Sequence, residues 1–283
     1  LSPLSQVDAQ VHRGRTAVHG AGTLIDYVGD DFEDESWSFV HQHPKSSREQ
    51  DERLRSPRGR STNGRWAEGP ERGQPDIIRT IDTPPGGPLG SSKALLLQTL
   101  HSGIPNYNSR DVQQDDLIAE IVPRLRGGIP VSETPSFVVR VFLPDFDRWE
   151  NRSGPHFGIR GSCTAPVTEQ KNFLFGSRTS TTLEPYWPGM WIHFRSETSR
   201  QHEEDSAYIA IRGNRRGQDY RAKEIDEPGW WTFGMSFTPD GSVHYYARPG
   251  VENLTAADHI DSQYPYGYSA RQFRSFFFNV CNY

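Results

Sequence analysis

The sequence predicts an all-β protein, built as an antiparallel β-sandwich of two sheets. Short strand-like runs recur from residue 77 onward, and turn residues separate them. Almost no segment repeats its apolar residues with the 3.6-residue period of a helix. Glycine and proline are abundant, with 26 and 21 copies in 283 residues, as many short strands and tight turns require. No repeat of fixed period is present, which argues against a propeller or a β-helix.

The N-terminal part predicts little regular structure. Residues 1–24 are polar and predict an arm that precedes a single domain covering residues 25–283. Residues 30–39 mix acidic and aromatic side chains and predict a first strand with acidic flanks. Residues 41–76 are dense in Arg, Gly, Pro and Ser and predict a long surface excursion. That excursion either lacks fixed structure or is held by its own ion pairs.

The other strands are predicted from compact apolar or alternating runs. They are expected at residues 94–99, 117–122, 137–143, 156–160, 173–175, 191–195, 208–212, 230–237, 242–247 and 276–280. Pro123 is expected to end the second of these strands, because proline has no N–H to donate to a sheet ladder. Only residues 255–259 and 270–273 suggest a helical turn.

The clearest predicted hairpin lies near the C-terminus. Residues 231–238 alternate large apolar side chains with small or polar ones, and residues 238–241 (Thr-Pro-Asp-Gly) supply a turn. Residues 229–246 resemble the penultimate hairpin of concanavalin A-like lectin and glucanase jelly rolls, in which a pattern W-x7-P-D-G-x-V-x2-Y is frequent. Residues 31–37 are similar to the first strand of those proteins. The resemblance implies a β-jelly roll whose concave sheet carries a glycan-binding groove.

Composition excludes several classes of function. The net charge of −5 argues against a nucleic-acid partner, and no apolar run approaches the roughly 20 residues that a membrane-spanning helix needs. Motifs of phosphate-binding loops, zinc proteases, C-x-x-C sites and G-x-S-x-G hydrolases are absent. The chain begins at Leu1, which predicts a removed leader and a secreted or periplasmic protein. We expect a monomer, in which Cys163 and Cys281 either pair or remain free.

Arginine dominates the cationic residues, since only four of the 31 are lysines. Arginine is the residue type that binds carboxylates and sulfates through paired hydrogen bonds. Strand alternation selects the arginines that face outward with other polar side chains. Because Ile192 and Phe194 point to the core, Trp191, His193 and Arg195 share the outer face. The same reasoning places further residues outward: Tyr208, Arg212, His156, Arg160, Arg140, His244, Tyr246 and Arg248.

This set of Arg, His, Tyr and Trp, with few carboxylates, suits an acidic polysaccharide. Residues 191–193 (Trp-Ile-His) are similar to the Q-I/V-H motif of family 7 alginate lyases, with Trp in the Gln position. Residues 195–197 and 245–250 are similar to the R-S/T-E-L and Y-F-K-A-G motifs of that family. The resemblance implies β-elimination of a uronate-containing polysaccharide. His193, Tyr208 and Tyr246 are the predicted acid–base residues, and the substrate-binding residues are Arg140, Arg195, Arg212, Trp191, His156, Arg160, His244 and Arg248.

Three alternatives stay open. The same face suits a non-catalytic glycan-binding module, a structural domain with arginines in ion pairs only, or a glycoside hydrolase of the same fold. Residues 224–227 (Glu-Ile-Asp-Glu) are one residue short of the glucanase motif E-x-D-x-E, and the Pro-Gly that follows predicts a loop. We expect no cofactor for catalysis. Jelly rolls of this type often bind a structural Ca²⁺, for which Asp30, Asp31 and Glu33 are the predicted ligands.

Overall fold

The computed structural model describes residues 22–100, 113–173, 176–199 and 201–282. These residues contain two short α-helices, α1 (Arg48–Asp51) and α2 (Ile121–Leu125). Four 3-10 turns are also present: Val131–Glu133, Phe146–Arg148, Ala256–Asp258 and Pro265–Gly267. The strands in chain order are β1 (Phe39–Val40), β2 (Arg60–Ser61), β3 (Trp66–Glu68), β4 (Ile77–Asp82), β5 (Lys93–Gln98), β6 (Gln113–Ala119), β7 (Ile129–Pro130), β8 (Ser136–Leu143), β9 (Gly154–Phe173), β10 (Gly176–Tyr186), β11 (Gly189–Arg195), β12 (Ser206–Arg212), β13 (Asp219–Ile225), β14 (Gly229–Phe237), β15 (Val243–Pro249), β16 (His259–Gln263) and β17 (Gln272–Asn282).

Two antiparallel sheets make up most of the molecule. The large sheet has the order β1–β2–β3–β6–β17–β9–β11–β12–β13, with β10 paired to β9 and β7 paired to β17. The small sheet has the order β16–β15–β14–β8, and β4 and β5 form a separate hairpin. The predicted all-β, antiparallel class is therefore confirmed.

The two sheets pack face to face through aromatic side chains. The ring of Phe137 on β8 stacks on that of Phe276 on β17, with centroids 4.6 Å apart. Phe237 on β14 lies 5.0 Å from Phe273 of the large sheet. Tyr245 on β15 donates a hydrogen bond across the interface to the carbonyl of Arg212, at 3.1 Å. This layered core is the sandwich that the alternation of residues 231–237 predicts.

The predicted first strand at residues 30–39 is wrong except at its end, where β1 begins at Phe39. The acidic side chains before it hydrogen-bond to the local backbone instead of leaving it free for a ladder. Asp30, Asp31 and Asp34 each accept a hydrogen bond from the N–H two residues further along the chain. Short acidic side chains favour such turns over strands.

The Arg-rich segment at 41–76 is built into the edge of the large sheet through β2 and β3. Its ion pairs hold it in place: Arg55 pairs with Asp51 at 2.5 Å, and Arg72 pairs with Glu49 at 2.6 Å. Lys45 is buried and pairs with Asp115 of β6 at 2.8 Å. The segment is thus an ordered part of the sheet rather than a surface excursion alone.

Three other predicted elements have different outcomes. β6 stops at Ala119, and Pro123 lies in the first turn of α2, where a missing N–H costs no helical hydrogen bond. The expected helical turn at 270–273 is wrong, because β17 starts at Gln272. The turn at 255–259 is confirmed, and Thr255 and Asp258 form its capping box. The predicted arm lies outside the described residues up to residue 21, as do residues 174 and 175 of the predicted strand 173–175.

Cys163 and Cys281 are both buried and both free. Burial raises the pKa of each thiol, to about 12 for Cys281. In the described residues, no helix has the length and apolar character needed to cross a bilayer.

Candidate active site

Polar side chains from four neighbouring strands form cross-strand rows on the outer face of the large sheet. Antiparallel register pairs His193 of β11 with Tyr208 of β12, and Tyr208 with Glu224 of β13. Their chain neighbours Ile192 and Ile209 point into the core. The rows, called here the large-sheet site, are His193–Tyr208–Glu224, Trp191–Ala210–Arg221 and Arg160–Gly189–Arg212–Asp219.

His193 and Tyr208 form the central pair of the site. The Tyr208 hydroxyl lies 3.3 Å from Nδ1 of His193, and the two rings stack with centroids 5.1 Å apart. Burial lowers the pKa of His193, so its imidazole is neutral at pH 7. Its Nε2 atom is buried and has no hydrogen-bond partner among the described residues. The pair therefore holds a hydroxyl against a neutral imidazole, as proton transfer requires.

Two guanidinium groups flank the ring of Tyr208. Arg195 lies 4.7 Å and Arg221 lies 5.7 Å from the ring centroid. Arg195 also donates to both oxygens of Glu224, at 3.0 and 2.8 Å. With Arg160 and Arg212, four arginines lie on or beside these rows, on which the described residues place two carboxylates, Glu224 and Asp219. A third carboxylate, Asp116, lies near Arg160. The site thus has an excess of positive charge, which favours an anionic ligand.

Trp191 is a support for two arginines rather than an open platform. Arg160 and Arg212 lie 4.9 and 4.5 Å from its ring centroid. Its side chain is only 4% exposed and lies over the backbone of Gly158. A Cβ atom on Gly158 would stand 2.9 Å from Nε1 of Trp191, so this position requires glycine. Trp191, a predicted substrate-binding residue, therefore presents no open ring face to a sugar.

Arg160 and Arg212 differ in their partners. Arg212 donates to both oxygens of Asp219, at 2.8 and 3.0 Å. Arg160 is 4% exposed, and its hydrogen-bond partners among the described residues are neutral: the side chain of Asn279 and the carbonyl of Trp187, both at 3.4 Å. Burial, reinforced by nearby cations, lowers the pKa of Arg160 to about 10.

Sequence reasoning missed several residues at this site. Trp187 is 40% exposed on the turn between β10 and β11, and its carbonyl holds Arg160. The Trp-Pro-Gly turn at residues 187–189 was the available signal for an exposed aromatic side chain. The sequence pattern does not indicate Arg221 and Glu224, because it predicts a loop at residues 224–227, whereas β13 extends to Ile225. A bulge between β12 and β13 brings both side chains to the outer face.

Four predicted site residues lie on the small sheet and do not join the site. Tyr246 is fully buried and His244 is 8% exposed. Arg140 donates to the carbonyl of Val251 at 2.6 Å and to Asn253 at 2.9 Å. Arg248 lies near Glu252 and Asp258, at 3.7 and 3.9 Å. Alternation correctly directs these side chains away from the core, but their strands belong to the opposite layer of the sandwich.

His156 also lies apart from Arg160, although both are on β9. A bulge between β9 and β11 places Pro155, rather than His156, opposite His193. The His156 ring instead packs edge-on against the core residue Phe194, with centroids 5.4 Å apart. Its two nitrogens meet the carbonyls of Gly154 and Glu150. Because the bulge adds one residue to β9, the His156 side chain lies on the face opposite to the one that simple alternation predicts.

The predicted calcium ligands are engaged in hydrogen bonds within the protein. One oxygen of Asp30 accepts from Asn63 at 2.7 Å and from Trp37 at 3.1 Å. Ser91 and Ser92 donate to Glu33, which lowers its pKa to about 2. Within the described ranges no three His, Cys, Asp or Glu side chains are grouped as a metal site. The calcium site therefore stays a prediction without geometric support.

Comparison with known proteins assigns no family to this chain. No protein-family model matches the chain. No curated protein matches it either. Among solved structures, the chain is similar to the β-porphyranase from the human gut bacterium Bacteroides plebeius, at 10% identity and a TM-score of 0.28, over 91% of this chain and 84% of that one. At this level of similarity the neighbour carries no information about the substrate of this chain.

Proposed function

We propose that the protein binds an acidic polysaccharide at the large-sheet site and cleaves it by β-elimination. The observation that carries the proposal is the 3.3 Å contact between the Tyr208 hydroxyl and His193 Nδ1, beside the guanidinium of Arg195. A uronate polymer supplies the carboxylate that these cations attract. Export from the cell and a monomeric state stay predictions that suit such a substrate.

The residues divide the reaction between them. His193 Nδ1 first takes the proton of the Tyr208 hydroxyl, and the resulting phenolate removes the proton at C5 of the uronate. The C4–O bond breaks as the C4=C5 double bond forms, and Tyr208 gives that proton to the leaving oxygen. The proton on His193 then returns to the Tyr208 oxygen, which restores both residues. Arg195 and Arg221 stabilise the negative charge that develops on the phenolic oxygen and the sugar carboxylate. Arg212 binds the next acidic group along the polysaccharide and so positions it.

A non-catalytic glycan-binding module is the second candidate, and one observation favours it. Arg195 already donates two hydrogen bonds to Glu224, and Arg212 donates two to Asp219. A uronate must compete with these carboxylates for the arginines. The uronate carboxylate can then bind without being fully neutralised, whereas β-elimination needs that neutralisation. A hydrolase is less favoured, because Glu224 and Asp219 lie in different rows and each is held by arginine.

An absorbance screen decides between the two candidates. The protein is incubated with alginate, glucuronan, pectate, ulvan and glycosaminoglycans, and the unsaturated product is followed in the ultraviolet. A lyase produces absorbance on at least one polymer, and His193→Ala removes it. A binding module is retarded in a gel that contains the polymer but forms no product. Product formation that survives unchanged in His193→Ala would overturn the assignment of this residue.

A further inference from the structure

The outer face of the small sheet carries a second cluster of polar side chains, remote from the large-sheet site. It begins at the turn between β14 and β15, which holds Thr238, Asp240 and Ser242. Register pairs His244 of β15 with Ser262 of β16. His259, also on β16, completes the line. None of these residues has a role in the proposed β-elimination.

Asp240 is the charged end of the cluster. It accepts hydrogen bonds from the hydroxyls of Thr238 at 2.5 Å, Ser242 at 2.9 Å and Tyr264 at 3.0 Å. Burial alone would raise its pKa, but these hydrogen bonds outweigh burial and lower the pKa to about 2. Asp240 is therefore a carboxylate at neutral pH, and it accepts the protons of the Thr238 and Ser242 hydroxyls.

This arrangement fixes the tautomer of His244. Because Thr238 and Ser242 donate to Asp240, their oxygens are acceptors toward Nε2 of His244, at 2.8 and 3.0 Å. Nε2 must then carry the proton, which leaves Nδ1 of His244 as an acceptor. The Ser262 hydroxyl lies 2.6 Å from that Nδ1 and donates to it.

Ser262 is thus prepared as a nucleophile. Its side chain is exposed, whereas His244 is buried behind it. His259, which is exposed as well, also contacts Ser262, with Nε2 2.8 Å from the hydroxyl oxygen and its ring centroid 6.1 Å from that of His244. A serine that donates to a histidine, whose far nitrogen is oriented by a carboxylate, is the arrangement of activated serine hydrolases. Here two hydroxyls stand between the histidine and the carboxylate.

We infer that Ser262 is the nucleophile of an acyl-transfer site that hydrolyses carboxylic esters. His244 is the general base, and Thr238, Ser242 and Asp240 are positioning residues. His259 donates a hydrogen bond to the carbonyl oxygen as negative charge develops there. This activity is independent of the β-elimination proposed for the other sheet.

The reaction balances without a further reactant except water. Ser262 Oγ forms a bond to the carbonyl carbon, and its proton moves to Nδ1 of His244. The tetrahedral intermediate collapses, the bond to the alcohol oxygen breaks, and the alcohol leaves with that proton. Water then attacks the acyl-serine by the same route and gives the carboxylic acid and free Ser262.

Labelling with a fluorophosphonate probe, followed by peptide mapping, tests the nucleophile. We expect the label on Ser262 and not on Ser269, which is also exposed but has no histidine partner among the described residues. Ser262→Ala should abolish labelling, and Ser269→Ala should leave it unchanged. His244→Gln should slow labelling by about 100-fold or more. No labelling of Ser262, or equal labelling of both serines, overturns the inference.

Ester hydrolysis gives a second measurement that does not depend on a buried substitution. Wild-type protein should release nitrophenol from p-nitrophenyl acetate with a burst that Ser262→Ala lacks. His259→Gln, at an exposed position, should retain the label but lower the rate of hydrolysis about 10-fold or more, because a donor to the oxyanion is lost. Wild-type hydrolysis equal to that of Ser262→Ala contradicts the inference. Circular dichroism of each variant confirms that the fold is intact.

Discussion

The outer faces of the two sheets carry the same residue types, but these residues differ in burial and in their neighbours. On the large sheet, His193 and Tyr208 are half-buried among guanidinium groups, and the face has more arginines than carboxylates. On the small sheet, His244 and Tyr246 are buried, and His244 belongs to a line of hydrogen bonds. The polar side chains of the first face mainly contact charged groups, whereas His244 on the second face contacts hydroxyl groups.

The difference teaches that alternation assigns a side chain to a face but not to an environment. His193 and His244 both alternate with core residues, so the sequence pattern treats them alike. Their cross-strand neighbours separate them, because His193 lies opposite Tyr208 whereas His244 lies opposite Ser262. Sheet register, which depends on contacts between distant segments, therefore decides the chemistry of each histidine.

The largest expected effect is on stability, at the aromatic support of the large-sheet site. Trp191→Ala removes a buried indole and leaves the guanidiniums of Arg160 and Arg212 without their shared ring. We expect a loss of about 3–5 kcal/mol in the free energy of unfolding. Trp187→Ala, at a 40% exposed position, should cost less than about 1 kcal/mol. Urea denaturation measures both, and equal losses would contradict the different roles of the two tryptophans.

The second effect concerns catalysis and compares a tyrosine from each face. Tyr208→Phe should lower the rate of β-elimination about 100- to 1000-fold, because the acid–base hydroxyl is lost. Tyr246→Phe, on the small sheet, should change that rate less than about two-fold. The measurement is the initial rate of ultraviolet absorbance on the best polymer from the screen. A large loss in Tyr246→Phe with none in Tyr208→Phe would reverse the assignment of the active face.

A smaller effect is expected on binding. Glu224→Gln weakens the ion pair that holds Arg195 and should raise the affinity for an acidic oligosaccharide about 3- to 10-fold at low salt. Glu252→Gln releases Arg248 on the small sheet in the same way and is the matched control, with no expected change. Calorimetric titration at two salt concentrations measures both variants. An equal gain in Glu252→Gln would show that binding responds to net charge rather than to this face.

Much of the fold and part of the site could be predicted from the sequence. The strands at 191–195 and 208–212 alternate clearly, so His193, Tyr208 and Arg212 were placed on one face correctly. His156 is not, since a bulge between β9 and β11 shifts its strand by one residue and leaves no local signal in the sequence. Glu224 is not, because the Pro-Gly that follows residue 227 predicts a loop where β13 extends to Ile225. The burial of Trp191 depends on Gly158, which is 33 residues away in the chain and adjacent only after pairing.

The smallest expected effect is the pH dependence that Asp240 adds to stability. Its pKa in the folded protein is about 2, below the ordinary value of 3.8, because donated hydrogen bonds outweigh burial. A depressed pKa contributes stability above about pH 4, and that contribution is lost as the pH falls from 4 to 2. Asp240 is exposed, and solvent screens its interactions. Its contribution to the free energy of unfolding is therefore about 1 kcal/mol, less than the pKa shift alone would give. Asp240→Asn should therefore differ from wild type by about this amount at pH 6, and by little at pH 2, in denaturant unfolding.

The buried Asp116 of the large sheet should act in the opposite direction, since burial raises its pKa and acidification then favours the folded state. A difference between wild type and Asp240→Asn that is constant from pH 6 to pH 2 would show that the small-sheet carboxylate does not depend on its hydroxyl donors.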